Sequence, residues 1–164
     1  MSDTIPRKLV ADAFGVAEEV LPEGDLPLAR FAEIYLNYIR AGDEDSTPVD
    51  HPDQWAFALM CELIETAPGL AFAATRATLR LCDCPEDIAM IAAGPLEDLI
   101  ADHGVELIGD IEALASTAPR FAYALTGVWP REQQGGLLWA RIEAARRGAG
   151  ELDAGDPLPG PDGL

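Results

Sequence analysis

Residues 85–129, PEDIAMIAAGPLEDLIADHGVELIGDIEALASTAPRFAYALTGVW, decide the fold class. Pro85, Pro95 and Pro119 each precede a run in which apolar residues recur at spacings of three and four. Proline is favoured at the first position of a helix, and this apolar spacing is the period of a helix with one buried face. Convincing strand runs that alternate Val, Ile, Thr and Tyr are missing. The stretch therefore predicts successive short α-helices.

Glycines predict where these helices end. Gly94, next to Pro95, and Gly104 interrupt the apolar pattern, because glycine inside a helix costs about 1 kcal/mol relative to alanine. In this stretch we expect four helices, over residues 85–92, 95–103, 105–116 and from 119 to about 127.

Apolar stripes between Pro and Gly breaks extend this interpretation to the rest of the chain. They predict further helices over 7–20, 28–41, 52–66, 68–81 and 137–147, with Asp50 as the cap of the third. The expected fold is all-α, a compact bundle of about eight short helices in one domain over 1–147. Stacking of helix pairs, as in an α-solenoid, is the alternative. Residues 148–164 are rich in Gly, Pro and acids, which predicts a flexible acidic tail.

Composition restricts the class of partner. The 164 residues carry 29 Asp and Glu against 11 Lys and Arg, a formal net charge of −18. So acidic a chain is poorly suited to nucleic-acid backbones and anionic membranes, because both require cationic side chains. Hydrophobic residues make up 49% of the chain, which is enough for a packed core and argues against wholesale disorder.

Sequence features also favour a cytoplasmic protein. The N-terminal segment lacks the basic start and uninterrupted apolar run of a secretory signal, and no segment reaches the roughly 18 apolar residues of a membrane span. Three cysteines are an odd number for a disulfide framework. Cys82 and Cys84 form a C-x-C without companion ligands. We therefore expect structural thiols, no metal and no cofactor.

Charge is segregated along the chain. No Lys or Arg lies between Arg80 and Arg120, while four arginines gather in and before the last predicted helix: Arg131, Arg141, Arg146 and Arg147. Helix dipoles favour acids in a first turn and bases in a last turn, which accounts for about half of the pattern. An acidic surface that faces a basic partner would account for the rest. The nine acids in the interval are Asp83, Glu86, Asp87, Glu97, Asp98, Asp102, Glu106, Asp110 and Glu112.

The candidate site lies at AGPLEDLIADHG, residues 93–104. Its side chains are Glu97, Asp98, Asp102 and His103, and Glu106 and Asp110 continue the series as candidate binding residues. Three interpretations stay open. The acids form a solvated helix face with His103 near the last carbonyls, they bind a basic partner, or Glu97 and His103 perform acid–base or metal chemistry.

Other polar and aromatic residues have simpler interpretations. His51 lies between Asp50 and Asp53, where a solvated N-cap region is favoured over a cation site. Trp55, Trp129 and Trp139 are expected to be anchors of the core or of helix junctions. The chain has no serine-nucleophile, dinucleotide or P-loop signature.

One segment resembles a known family. GPLEDLIADHG, an apolar helix and PRFAYALTGVW resemble a family of small, uncharacterised bacterial domains with a Gly-Pro-Leu-Glu-Asp-Leu segment, a His-Gly and an ending close to Ala-Leu-x-Gly-Val-Trp. The matching positions are Gly94, Pro95, Leu96, Glu97, Asp98, Leu99, His103, Gly104, Ala124, Leu125, Gly127, Val128 and Trp129. The resemblance implies that Glu97, Asp98 and His103 belong to a shared design, and it implies no activity.

The expected function is that of an acidic cytoplasmic protein–protein interaction module, which neutralises a basic partner as immunity proteins and inhibitors do. One alternative is a nucleic-acid mimic, whose carboxylates imitate phosphates. The other, less favoured, is a small hydrolase or metal-dependent enzyme that uses the cluster at 97–103.

Overall fold

A computed structural model of the chain describes residues 3–42, 51–131, 136–152 and 157–164. Helices dominate these residues, so the predicted all-α fold is confirmed. The helices are α1 (Arg7–Phe14), α2 (Leu28–Gly42), α3 (Gln54–Thr66), α4 (Pro68–Leu81), α5 (Pro85–Ile91), α6 (Glu97–Thr117), α7 (Pro119–Leu125) and α8 (Gly136–Ala145). None of the helices in the described ranges is long and apolar enough to cross a membrane.

The chain divides into two compact units, residues 1–78 and 79–164, with the boundary inside α4. In the first unit α3 packs against α1 and α2. Phe31, Leu59 and Leu63 are fully buried there, and Phe14 stacks on Trp55 with ring centroids 5.0 Å apart. That residues 1–147 fold as one domain stays a prediction.

Two local features of the first unit differ from the sequence prediction. The first helix was expected over 7–20, but α1 ends at Phe14 because Gly15 adopts a left-handed φ of 65° and its N–H caps the carbonyls of Ala11 and Asp12. A short antiparallel ladder also pairs β1 (Thr4–Ile5) with β2 (Leu26–Pro27). These strands of two residues each are too short to show an alternating pattern.

In the second unit α6 packs against α7 and α8. The predicted break at Gly94 and Pro95 is present as a kinked turn over Ala92–Leu96, in which Gly94 has non-helical angles of φ −108° and ψ −111°. Side chains from this turn and from its neighbours fill the core. The fully buried ones include Ile88, Ile91, Leu96, Leu99, Ile100 and Phe121.

The predicted break at Gly104 is wrong, because α6 continues through it to Thr117. Gly104 is buried, and a Cβ at this position would lie 2.8 Å from Cδ2 of Leu138 on α8. Glycine therefore allows α8 to approach α6 closely. Burial against α8 compensates for the low helix propensity of Gly104, on which the predicted break was based.

The segment expected to be a flexible tail makes contacts within the second unit. Leu152 lies against Gly127, and the carbonyl of Pro159 accepts a 2.8 Å hydrogen bond from Nε of Arg120. Gly163 lies against Thr117. Its flexibility stays a prediction, and the predicted cap Asp50 lies outside the described residues.

Candidate functional site

Helix α6 has two sharply different sides. Its buried side includes Leu107, Ile108 and Ile111. The opposite side is a run of exposed positions at spacings of one, three and four, which form a single face of a helix. We call this face the outer stripe, and it consists of Asp102, Val105, Glu106, Gly109, Asp110 and Ala113.

Arg131, beyond the end of α7, supplies a counter-charge to the start of α6. Its Nη2 is hydrogen-bonded to Oδ1 of Asp98, and its Nη1 lies 3.8 Å from Oδ1 of Asp102. All three side chains are about half exposed. The two carboxylates, which repel each other at a spacing of four residues, are therefore bridged by one guanidinium.

Glu97 has a different partner. Its Oε2 accepts a hydrogen bond of 3.3 Å from the backbone N–H of Trp129. This contact ties the first turn of α6 to the chain that follows α7. The Gly-Pro-Leu-Glu-Asp-Leu segment and the Gly-Val-Trp segment thus meet through Glu97, which gives this residue a structural role.

His103 lies close to Glu106 on the next turn of α6. Its Nδ1 lies 3.8 Å from Oε2 of Glu106, and its side chain is 22% exposed against 74% for Glu106. The predicted residues Glu97, Asp98 and His103 therefore contact three different partners, Trp129, Arg131 and Glu106. The alternative of acid–base chemistry at this cluster stays a prediction.

Glu112 and Arg141 form the tightest ion pair between α6 and α8. Nε and Nη2 of Arg141 lie 2.7 and 2.6 Å from the two carboxylate oxygens of Glu112. These hydrogen bonds hold the pKa of Glu112 below its usual range and raise that of Arg141. Since one guanidinium engages both oxygens, the pair links α8 to α6 through two parallel hydrogen bonds.

Asp87, another of the nine acids, is structural. It is 2% exposed, and its Oδ2 accepts a hydrogen bond of 2.9 Å from the backbone N–H of Asp83. Among the six predicted binding residues, Asp102, Glu106 and Asp110 lie on the outer stripe. The acidic surface is thus narrower than the sequence indicated, because Arg131 pairs with Asp98 and Asp102 and Arg141 pairs with Glu112.

A cleft of about 870 Å³ opens in the second unit, and sequence reasoning missed it. Trp129, expected to be an anchor, is 72% exposed at its wall. Arg146 also borders it and donates to the carbonyls of Leu125 and Val128 at 3.2 and 3.3 Å. The cleft is lined by Ala89, Ala93, Thr126, Gly127, Trp129, Glu143, Arg146, Arg147, Gly148, Gly150, Glu151 and Leu152. None of the six predicted binding residues is among them.

The remaining candidate ligands are dispersed. Within the described ranges no three His, Cys, Asp or Glu side chains are grouped so as to hold a metal ion. His51 Nδ1 instead accepts a hydrogen bond of 3.1 Å from the backbone N–H of Asp53, just before α3.

A hydrogen bond with the Asp87 backbone lowers the pKa of Cys84, but burial and the carboxylate of Glu86 outweigh it, so this pKa is raised. A raised pKa disfavours the reactive thiolate.

The fold and this site define a small helical protein with an acid-bearing exposed helix face. A family profile matches residues 43–150, and the chain belongs to this family, DUF6869, a family of unknown function. Membership of an uncharacterised family was expected from the sequence and is confirmed. Comparison with curated proteins and with solved structures gives no match.

Proposed function

We propose that this protein is a cytoplasmic interaction module that binds a basic protein partner through the outer stripe of α6. The observation that carries the proposal is a row of three carboxylates, Asp102, Glu106 and Asp110, on successive turns of one exposed face. Neighbouring acids of this row repel each other by about 0.2–0.5 kcal/mol per pair. Arg131 offsets part of this repulsion at Asp102, where its Nη1 lies 3.8 Å from the carboxylate. A cationic surface that docks on it would relieve this repulsion.

The stripe also contains apolar and small positions. Val105 is 79% exposed, beside Glu106 and between the turns that carry Asp102 and Asp110. Gly109 and Ala113 leave room for close approach. Apolar contact at the centre with charges around it is the usual composition of a protein interface. With a rise of 1.5 Å per residue, the stripe is about 16 Å long, which suits one helix or loop of a partner.

The density of charge favours a protein partner over nucleic-acid mimicry. The three carboxylates cover about 12 Å of helix axis. Duplex DNA carries one phosphate per roughly 1.7 Å, or about seven phosphates over the same length. The outer stripe therefore imitates a phosphate backbone poorly, whereas a few arginines or lysines on a protein surface match its charge.

The test compares two full-length variants that lose the same charge at different places. The stripe variant is Asp102→Asn, Glu106→Gln and Asp110→Asn. Its control is Glu18→Gln, Glu19→Gln and Glu23→Gln, which changes exposed acids of the first unit. The probe is an oligoarginine peptide, titrated by calorimetry at several salt concentrations.

The stripe variant should lose several-fold more affinity than the control, and its binding should depend less on salt. Equal losses in the two variants would show that the peptide responds to net charge alone, and the proposal would be wrong. The same variants, once immobilised, distinguish a specific partner from adventitious cations. A specific partner should stay bound to the control variant and should be released from the stripe variant.

A further inference from the structure

Arg120 is an unusual buried cation. It is 6% exposed, and its Nη1 lies 3.1 Å from each of three carbonyl oxygens, those of Leu79, Arg80 and Cys82. These carbonyls lie at and just beyond the C-terminus of α4. The last carbonyls of a helix have no backbone N–H partner within the helix, so they need other donors. The Nε of Arg120 faces elsewhere and donates to the carbonyl of Pro159 at 2.8 Å.

A second contact fixes the same C-terminal segment four residues later. Gly163 has φ +84°, and a Cβ there would overlap the carbonyl oxygen of Thr117 and lie 3.1 Å from Cα of Ala118. Thr117 and Ala118 form the joint between α6 and α7. A hydrogen bond of 3.2 Å from the Leu164 N–H to the Pro161 carbonyl closes the final turn. We call residues 157–164 the C-terminal strap.

The composition of the strap suits recognition as an extended peptide. Its sequence, PLPGPDGL, has proline at every second position over the first five residues. Each proline fixes φ near −65°, so less conformational entropy is lost when the segment is bound. Proline lacks an N–H but keeps a strongly accepting carbonyl, and the donor that meets the strap here is a side-chain N–H of Arg120.

We propose that Arg120 and the Thr117–Ala118 joint form a peptide-binding groove for a proline- and glycine-containing segment, occupied in this structure by the protein's own C-terminal strap. The groove selects a carbonyl at the position of Pro159 and a glycine at the position of Gly163. A free peptide of the strap sequence should enter it when the strap is displaced. This groove shares no residue with the outer stripe and does not depend on its role.

The experiment compares two glycine variants of the full-length chain. Gly163→Ala places a methyl group against the Thr117 carbonyl and requires a positive φ that alanine disfavours. Gly160→Ala is the matched control, because a Cβ there meets Asp162 at an ordinary distance of 3.7 Å. NMR measures the exchange rate of the Arg120 Nε–H, with exposed Arg147 as the internal reference.

In the wild type and Gly160→Ala, the Arg120 Nε–H should exchange at least about tenfold more slowly than that of Arg147. In Gly163→Ala the exchange should accelerate, and the added peptide PLPGPDGL should slow it again, whereas PLPGPDAL should not. Equal exchange in all three proteins, or no response of Gly163→Ala to the added peptide, would overturn the proposal. Wild-type exchange as fast as that of Arg147 would overturn it without any variant.

Discussion

The guanidinium of Arg141 engages both carboxylate oxygens of Glu112, at 2.7 and 2.6 Å, and so joins α8 to α6. The two residues lie 29 positions apart. This pair shows how the acidic stretch between Arg80 and Arg120 is accommodated: its counter-charges come from later in the chain, from Arg141 on α8 and from Arg131 before α8.

The pair makes stability depend on pH in a defined direction. Because Arg141 holds the pKa of Glu112 below its usual range, ionised Glu112 stabilises the folded state at pH values above about 4.3, the ordinary carboxyl value. That contribution disappears as the pH falls through the lowered pKa. Glu112→Gln should therefore be less stable than the wild type at pH 7, and the difference should vanish at low pH.

Urea unfolding at pH 7 and at pH 3 measures this difference. Asp110→Asn is the control, since Asp110 lies on the same helix and is exposed. It should lose stability on acidification as the wild type does. If Glu112→Gln also behaves like the wild type at both pH values, the ion pair does not persist in solution.

Gly104 and Gly109 allow a test of the continuous helix α6. A Cβ at Gly109 meets nothing within 4 Å, so Gly109→Ala should stabilise the protein by about 0.5–1 kcal/mol through helix propensity. Gly104→Ala has the same propensity gain but forces Leu138 to move. It should therefore be less stable than Gly109→Ala, by an amount that depends on how easily the Leu138 methyl groups move aside. Equal stabilities by chemical denaturation would mean that α8 does not pack closely on α6.

Local patterns predicted the helices well where one helix end carries its own signals. α4 was expected over 68–81 and is found at Pro68–Leu81, because Pro68 starts it and its apolar residues repeat at helical spacing. The sequence predictions failed where contacts between residues far apart in the chain determine the structure. Continuity through Gly104 depends on Leu138, and the pairing of Asp98 depends on Arg131, 33 positions away. Sequence spacing alone does not reveal such contacts.

The candidate site was likewise predicted in part. The period of α6 places Asp102, Glu106 and Asp110 on one face, and the structure has them there. Glu97, by contrast, looked like an exposed acid or a general base, and it accepts a hydrogen bond from the Trp129 backbone. The local sequence around Glu97 does not indicate a backbone donor that lies 32 residues later in the chain.

Gly127 and Leu152 should be energetically coupled. A Cβ at Gly127 would overlap Cδ1 of Leu152 and lie 3.0 Å from Cβ of Ala92, so Gly127→Ala should cost about 1–3 kcal/mol. The cost should be smaller in a Leu152→Ala background, where the contacts with Ala92 and with the Ala124 carbonyl persist but the overlap with Cδ1 of Leu152 is removed. A double-mutant cycle of unfolding free energies measures the coupling.

Gly69→Ala is the control for this cycle, because a Cβ there meets nothing within 4 Å. It should be neutral or slightly stabilising in both backgrounds. Additive costs for Gly127→Ala and Leu152→Ala would contradict the observed contact and would support the expectation of a flexible tail from residue 148.

Substitution of Arg120 should lower the free energy of unfolding more than substitution at most other positions of the second unit. Arg120→Ala removes the donors of three carbonyls at the end of α4 and of the Pro159 carbonyl. The hydrogen bonds to Leu79 and Cys82 are buried, and a buried acceptor left without a donor costs about 1–3 kcal/mol. We expect a loss of about 3 kcal/mol or more in the free energy of unfolding. Arg120→Lys should recover part of it, because a single ammonium keeps the charge but cannot reproduce the two directions of the guanidinium.

Arg80→Ala serves as the control, since it removes an exposed cation from the last turn of α4, and should cost no more than about 1 kcal/mol. Guanidinium chloride unfolding of the three variants beside the wild type gives the comparison. The loss in Arg120→Ala should also exceed that in Gly163→Ala, because the glycine variant releases only the strap, whereas the arginine variant also uncaps α4. If Arg120→Ala costs no more than Arg80→Ala, the guanidinium does not hold the α4 terminus, and the carbonyls of Leu79, Arg80 and Cys82 must find water instead.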